Sequence, residues 1–408
     1  MDAQLYRQGE NTLADFGALQ LSSAFQPIFS LAHRRIVGYE GLLRAQTGKG
    51  LSLPPLTVFA EAESEAEKVH LDRLCRNLHL HNFTRFSNSD SWLFLNINPE
   101  VMVRGHHFGS FFAELLERHR MPPQRIVVEI LEGQIYDEEA LSEAVNFYRG
   151  LGCVIAIDDF GAGHSNFDRI WRIAPDIVKL DRSIIAQAAT TARVKRVLPK
   201  LIQLLHESGS LTLIEGIENE EEAMIGINAG VDMVQGYYFG RPAAAASLTR
   251  HDAALMNRLC SRLDAYAQAE RKQDDALLTP YRTAFLLACA QVQEGETTPR
   301  QASAALLRLP RTERIFMLDQ QGRQIGENIS SETARPQDQR FRPLLDVNGA
   351  TWSRRSYFRN AVAQPGKLHV SRPYLSIIGS TSCVSLSMAF EIDGALHVLC
   401  CDLDWASA

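Results

Sequence analysis

The sequence has no CxxC pair and no cysteine–histidine spacing of the kind that holds zinc. Its seven cysteines are scattered at 75, 153, 260, 289, 383, 400 and 401, an odd and dispersed set that fits a reducing compartment. No apolar run approaches the ~18 residues of a membrane span. The opening Met1–Arg7 lacks the charged-then-apolar order of a secretion signal. Together these absences make the cytoplasm the expected location. Basic excess is missing too. The formal net charge of −6 argues against DNA or a membrane surface as partner, while leaving room for a small phosphate ligand held locally. At 408 residues the chain has room for two or three domains and a full core.

What is present centres on Val154–Asn166, where a short β-branched run ends in adjacent aspartates and a glycine-rich turn. The run reads as an interior strand. Successive strand residues point to opposite faces, so Asp158 and Asp159 cannot both face inward from a regular strand. The expected geometry puts Asp158 at the last inward position and Asp159 in the loop beyond. Two carboxylates this close repel unless a cation or shared proton lies between them. A divalent metal site is the sharper reading. Taken alone, the pair is explained more simply by a helix N-cap with a solvated neighbour.

Residues 1–20 carry no organised signal. From Phe25–Phe29 a strand leads through a hairpin turn at 32–35 into Ile36–Leu42. A helical stretch from Thr57 to Phe83 follows, and then strands and helices alternate. The strands are Trp92–Asn96, Arg125–Ile130, Cys153–Asp158, Asp176–Leu180, Leu211–Glu215 and Met233–Gln235. The helices between them are expected near Ser110–Arg118, at Asp137–Gly150, after Asn166, at Arg182–His206 and at Glu220–Asn228. Eight strands, mostly parallel, over about 240 residues predict a modified (β/α)8 TIM-like barrel, an α/β fold, with one antiparallel strand contributed by the first hairpin. A doubly wound open sheet is the alternative, because closure is not readable from sequence.

The strand ends carry the chemistry. Glu40 closes the second, Asn96 the third, and Glu129 nearly closes the fourth. Asp158 and Asp159 close the fifth, Lys179 the sixth, Glu215 the seventh and Gln235 the eighth. Active sites of such barrels form at this C-terminal rim. One polar strand end is an ordinary helix cap; seven in succession point to a site. The candidate ligands are oxygens only, which suits Mg²⁺ or Mn²⁺ rather than zinc. Five carboxylates exceed the need of one ion, and two ions bridged by an aspartate resolve their repulsion. Lys179, among apolar neighbours, reads either as a neutralising ion pair or as the group that orients or deprotonates a water. Arg44, four residues beyond Glu40, is placed for a phosphate.

In order, Glu40–Arg44, Leu95–Pro99, Val128–Glu132, Asp158–Gly163, Lys179–Asp181, Glu215–Glu218 and Gln235–Gly236 resemble the motifs of the EAL-domain family of cyclic di-GMP phosphodiesterases, over about residues 20–245. The resemblance implies hydrolysis of cyclic di-GMP to linear 5′-pGpG with Mg²⁺ or Mn²⁺ and inhibition by Ca²⁺. By the same resemblance, Glu40, Asn96, Glu129 and Asp158 hold one ion, and Asp158, Asp159 and Glu215 the second. Lys179 and Gln235 handle the nucleophilic water, with Glu40 and Glu218 completing the catalytic set. Gln26, Leu42 and Arg44 contact substrate, and Glu132 anchors the loop after Asp159. That loop lies near the dimer surface in the family, so a homodimer is implied. Gly41 stands for the signature alanine, Leu131 for a frequent threonine, and the loop reads Ala162–Asn166 rather than Thr-Gly-Tyr-Ser-Ser. None of these removes a ligand, which favours an enzyme over a catalytically silent cyclic di-GMP receptor. The family's cyclase counterpart, Gly-Gly-Asp/Glu-Glu-Phe, is absent.

The expected division is a barrel over 1–249, a helical connector over 250–309 broken at Pro280 and Gly295–Pro299, and a C-terminal α+β domain over 310–408. Strands are expected at Ile315–Leu318, Arg323–Ile325, His369–Leu375, Val384–Glu391 and Leu396–Leu403, the last two joined by an Asp393-Gly394 turn. Through Trp352–Phe358 and Ser371–Tyr374 this domain resembles PAS or Cache sensors, which implies a small ligand or protein partner. Core packing of Trp352, Tyr357 and Phe358 is the equal alternative.

Overall fold

The hairpin expected at residues 25–42 is the middle of two much longer strands. In the computed structural model the chain begins with β1 (Tyr6–Gln8), β2 (Asn11–Phe16), β3 (Leu19–Ser30) and β4 (Arg35–Thr47), each antiparallel to the next. The stretch that carried no signal thus contributes two strands. Its turn is set by Gly17, whose φ of +59° suits glycine. The structure describes residues 5–9, 11–86, 90–97, 101, 111–131, 138–163, 167–245, 253–295, 297–330, 347, 349–376 and 382–405.

Beyond the short β5 (Ser52–Leu53) come β6 (Trp92–Asn96), β7 (Ile126–Leu131), β8 (Val154–Phe160), β9 (Ile177–Leu180), β10 (Leu211–Ile214) and β11 (Met233–Val234). These pair in parallel from β4 through β11. The circle closes because β3 pairs antiparallel with both β11 and β4. A modified (β/α)8 barrel with one antiparallel strand is therefore the fold, and the open sheet is excluded by the β3 pairings. Its outer wall is the shell between strands and helices, where Leu95, Val128, Ile155, Val178 and Ile214 belong to one buried cluster with Leu141, Ile185 and Ile202.

Two long helices of the sequence reading are each split. Thr57–Phe83 becomes Pro55–Ala60 and Glu65–Phe86. The second begins at a capping box, in which the Ser64 and Glu63 N–H groups donate to Glu67 Oε2 and the Glu67 N–H donates to Ser64 Oγ. Arg182–His206 becomes Arg182–Thr190 and Ala192–Glu207, separated by extended Thr191. Conversely, the expected break at Pro280 does not occur, and the helix runs Ala253–Gln293. Burial outweighs the lost backbone bond there, because Leu278, Tyr281, Phe285, Ala288, Cys289 and Val292 are all packed into one core. Among the described residues no helix is long and apolar enough to cross a membrane.

Residues 1–267 form one compact unit and 268–408 another. The second contains an antiparallel sheet of β12 (Thr312–Leu318), β13 (Gln324–Ser330), β14 (His369–Val370), β15 (Tyr374–Leu375), β16 (Ser382–Ile392) and β17 (Ala395–Asp404), in the order β13-β12-β17-β16-β14 with β15 also on β16. Both faces are buried. Ile315, Leu386, Met388, Leu399 and Cys401 pack with the helical residues Tyr281 and Phe285. The alternate residues Phe316, Ala389, Val398 and Cys400 pack with Tyr357 and Phe358 of the helix Ser356–Ala363. Those two aromatics are core residues. Arg314 and Asp402 form a buried pair within the sheet, Nε to Oδ2 at 2.7 Å, and Ser385 Oγ donates to Asp402 Oδ1 at 2.5 Å. The expected turn is present, with Asp393 and Gly394 both at positive φ. The expected strand His369–Leu375 is interrupted around Pro373, which has no N–H for a ladder.

Candidate active site

Each parallel strand of the barrel places a hydrophobic residue inside and, two positions on, a polar one. Phe94 precedes Asn96, Val127 precedes Glu129, and Ala156 precedes Asp158. Ile177, Leu213 and Met233 likewise precede Lys179, Glu215 and Gln235. The six hydrophobics, with Ile28 of β3, form one buried cluster that plugs the barrel. Side chains two apart share a face, so the polar residues make the next layer, at the C-terminal rim. Glu40 joins this layer above Gly38, where an added Cβ would stand 2.8 Å from the Phe94 ring. Antiparallel β3 brings Gln26 directly opposite Glu40 in register.

Lys179 lies at the centre of the layer, fully buried. Its Nζ contacts Glu129 Oε1, is 2.5 Å from Glu215 Oε1 and 3.0 Å from Asp158 Oδ1, and reaches Glu40 Oε1 at 4.0 Å. Burial favours the neutral amine, but the surrounding acids outweigh it and hold its pKa well above the ordinary lysine value. At Glu129 the balance is reversed: burial, with help from Glu40, Asp158 and Glu215, pushes the carboxyl well above its usual range despite the ammonium. Burial also raises Glu215 to about 8 and, together with Asp158, raises Asp159 to about 6. Glu40 is held from both sides. Asn96 Nδ2 donates to its Oε1 at 2.9 Å, and Gln235 Nε2 donates to its Oε2 at 2.7 Å.

The adjacent aspartates differ from expectation. Rather than ending at Asp158, β8 runs to Phe160, and its pairing with β9 slips between Ile157 and Phe160. Asp159 occupies this irregularity in the left-handed region, at φ +58°, a conformation in which aspartate is one of the few tolerated non-glycine residues. A regular strand would separate the two carboxylates; the bulge keeps both at the rim. Carboxylate oxygens of Asp158, Asp159 and Glu215 lie within 4.8 Å of one another, as do those of Glu40, Glu129 and Glu215.

These residues fit hard divalent cations. Among the described residues of this cluster, five carboxylates face one ammonium, and the candidate donors are oxygens. Glu129 Oε2 and Gln235 Oε1 are buried without a hydrogen-bond partner. Beside the acids opens a cleft lined by Gln26, Glu40, Glu215, Glu218 and Gln235 and also by Arg182 and Tyr237. Neither of the last two was singled out from the sequence. Their positions just after the Lys179 and Gln235 strand ends were the signal available, since such loops build this rim. Glu218 is at the outer edge, exposed and paired with Arg182 Nη1 at 2.9 Å. The Gln26 side chain donates to the Gly240 carbonyl at 3.2 Å. Leu42 and Arg44 lie further along β4 on the face of Glu40 but do not line the cleft, and Arg44 Nη1 donates to the Leu43 carbonyl at 2.9 Å. Glu132 and residues 164–166 lie outside the described residues.

Residues 11–242 match the EAL domain, and the chain belongs to that family. Over 349 residues it is 26% identical to the uncharacterized EAL-domain containing protein YkuI of Bacillus subtilis, a match covering 82% of each chain. It is 28% identical over 249 residues to the probable cyclic di-GMP phosphodiesterase PdeN of Escherichia coli, covering 58% of this chain and 46% of PdeN. With the cyclic di-GMP phosphodiesterase RocR of Pseudomonas aeruginosa the identity is 31% over 151 residues, 37% of this chain and 38% of RocR. The chain thus spans less than half the length of the latter two. The YkuI crystal structure, in complex with substrate c-di-GMP and calcium, shares the fold with a TM-score of 0.78 at 24% identity, covering 95% of this chain and 96% of that one.

Proposed function

We propose that the barrel is a cyclic di-GMP phosphodiesterase that opens its substrate to linear 5′-pGpG at a site for two divalent cations, Mg²⁺ or Mn²⁺. The observation that carries this reading is the pair of carboxylate trios that share Glu215. Family membership and the phosphodiesterases among the relatives support the substrate. Glu40, Glu129 and Glu215, with Asn96, would hold one ion, and Asp158, Asp159 and Glu215 the other. The family resemblance implies Asp158 as the shared ligand; the two trios support Glu215 in that role. Bound there, the ions supply Lewis-acid neutralisation of the charge that develops on the phosphoryl group.

The chain's own residues do the rest. Lys179, as an ammonium, offsets the excess acid charge and offers a donor to orient the attacking water. The amides of Asn96 and Gln235 fix both oxygens of Glu40, so that it meets its ion in one orientation. Gln26, facing Glu40 across the β3–β4 ladder, contacts substrate, with Leu42 and Arg44 further out on the same face. Glu218 with Arg182 closes the outer edge. The second unit acts as a sensor that modulates the barrel, and a homodimer couples the Asp159 loop to that control.

A silent receptor is the competing reading. Presence of the oxygen donors together with Lys179 supports the enzyme. The test is incubation of pure protein with cyclic di-GMP and Mn²⁺, with and without EDTA, followed by chromatography for pGpG. Formation of pGpG that EDTA abolishes is the expected result; tight binding without product would establish the receptor.

A further inference from the structure

Gly41, next to Glu40 on β4, stands where the family's signature has alanine. Its backbone lies outside the left-handed region, so space rather than conformation governs what fits there. A Cβ added to Gly41 would stand 3.2 Å from Cγ of His79, 3.4 Å from its Cβ and 3.5 Å from its Cδ2. The imidazole of His79, on the helix Glu65–Phe86, thus occupies the room of the missing methyl. It is not free to yield. His79 is buried, and its Nδ1 shares a hydrogen bond of 2.8 Å with Ser23 Oγ on β3. Asn82, one helical turn on, donates from Nδ2 to the same Ser23 Oγ at 3.2 Å and to the Thr12 carbonyl of β2 at 3.0 Å. The Thr12 N–H donates back to Asn82 Oδ1 at 3.2 Å. Together the two side chains clasp one helix to three strands. Ser23 stands opposite Leu43, Phe25 opposite Gly41 and Gln26 opposite Glu40, so the clasp grips the ladder that carries both Gln26 and Glu40. Buried bonds of this kind fix position more than they add stability, because each group gives up water to make them.

We propose that His79 is a positioning residue for the metal site: its ring replaces the signature alanine's methyl, sets how closely β4 approaches the helix, and so places Glu40. This rests on the phosphodiesterase reading above and deepens it. With the ring clasped, an alanine at position 41 displaces β4 rather than His79. Glu40 moves with its strand, against the Asn96 and Gln235 amides that hold both of its oxygens. Without the ring, the same methyl fills the space that the ring leaves. Alanine at 41 therefore has opposite effects with and without His79, which separates positioning from a general intolerance of the substitution.

The experiment compares the full chain with its Gly41→Ala, His79→Ala and Gly41→Ala/His79→Ala variants. Mn²⁺ affinity is read by calorimetry, pGpG formation by steady-state kinetics and metal-free stability by thermal melting. Gly41→Ala should weaken Mn²⁺ binding and lower kcat by about tenfold each, with KM within about twofold of the wild type. The double variant should return both to within about threefold of the wild type and exceed His79→Ala alone. Equal effects of the alanine in both backgrounds, or changes in melting temperature without changes in Mn²⁺ affinity and kcat, overturn the positioning role and leave the proposed function intact. If Gly41→Ala does not fold, the double variant against His79→Ala still decides: a gain in Mn²⁺ affinity supports the role and no gain overturns it. A wild-type chain that binds Mn²⁺ but forms no pGpG overturns the proposed function, and the Mn²⁺ affinities then decide the role of His79 alone. A wild-type chain that binds no Mn²⁺ overturns both.

Discussion

Asp158 Oδ1 accepts the backbone N–H of Asp159 at 2.9 Å across a bulge that holds Asp159 at φ +58°. The same oxygen lies 3.0 Å from Lys179 Nζ. One carboxylate thus fixes the turn that presents its neighbour and also touches the central cation. The geometry of the rim and its charge balance are therefore inseparable.

Glu40→Ala should bring cyclic di-GMP hydrolysis down to background. The change removes an oxygen donor and frees the Asn96 and Gln235 amides that held it. The barrel should persist, since the hydrophobic plug lies one layer below. Product chromatography under saturating Mn²⁺, alongside circular dichroism, checks both halves, and wild-type turnover would remove Glu40 from the metal site.

Lys179→Met should destabilise the metal-free protein by about 3–5 kcal/mol, because it leaves buried acids without their counter-charge. Divalent metal should recover part of that loss by replacing the missing positive charge. Thermal melts with and without Mn²⁺ test this. The same drop in both conditions would show that Lys179 matters only for packing.

Metal affinity should rise with pH between about 6 and 8. Metal binding requires the ionised carboxylates. Asp159, raised to about 6, and Glu215, raised to about 8, keep their protons to higher pH than ordinary acids, so protons compete with the ion below these values. Calorimetry in buffers of different ionisation enthalpy should detect proton release on binding at pH 7. A flat affinity from pH 6 to 8 contradicts the expectation.

Gly236→Ala should loosen the rim around Gln235. The new Cβ meets the Ile217 backbone, which cannot move aside as a flexible side chain would. The backbone strain alone costs on the order of 1–3 kcal/mol. A lower Tm together with weaker cyclic di-GMP binding is expected, and an unchanged Tm would show that the loop has room.

The positions of the acidic cluster and its lysine were legible because barrel strands impose a period of two. Glu129, Asp158, Lys179 and Glu215 each follow a short apolar run, and a polar residue ending such a run faces the rim if its partner two places back faces the plug. The N-terminal strands were not legible, because β2 pairs at the margin of the barrel and buries only the patch Thr12–Ala14. Pro280 misled for a related reason: a local signal for a break lost to burial on a sheet formed by residues far along the chain. Arg182 and Tyr237 escaped notice because neither ends a strand.

By itself the sequence determined which polar groups the rim carries: carboxylates and amides, one lysine among them, and the strand ends that hold them. Those are properties of residue type and short-range periodicity, which need no knowledge of distant contacts. Only the tertiary structure decided that the sheet closes, that Asp158 and Asp159 both stay at the rim, that Glu215 belongs to both trios, and that Tyr237 borders the cleft. Each depends on which strands pair and in what register, so each is set by contacts between residues far apart in sequence, where local patterns carry no information.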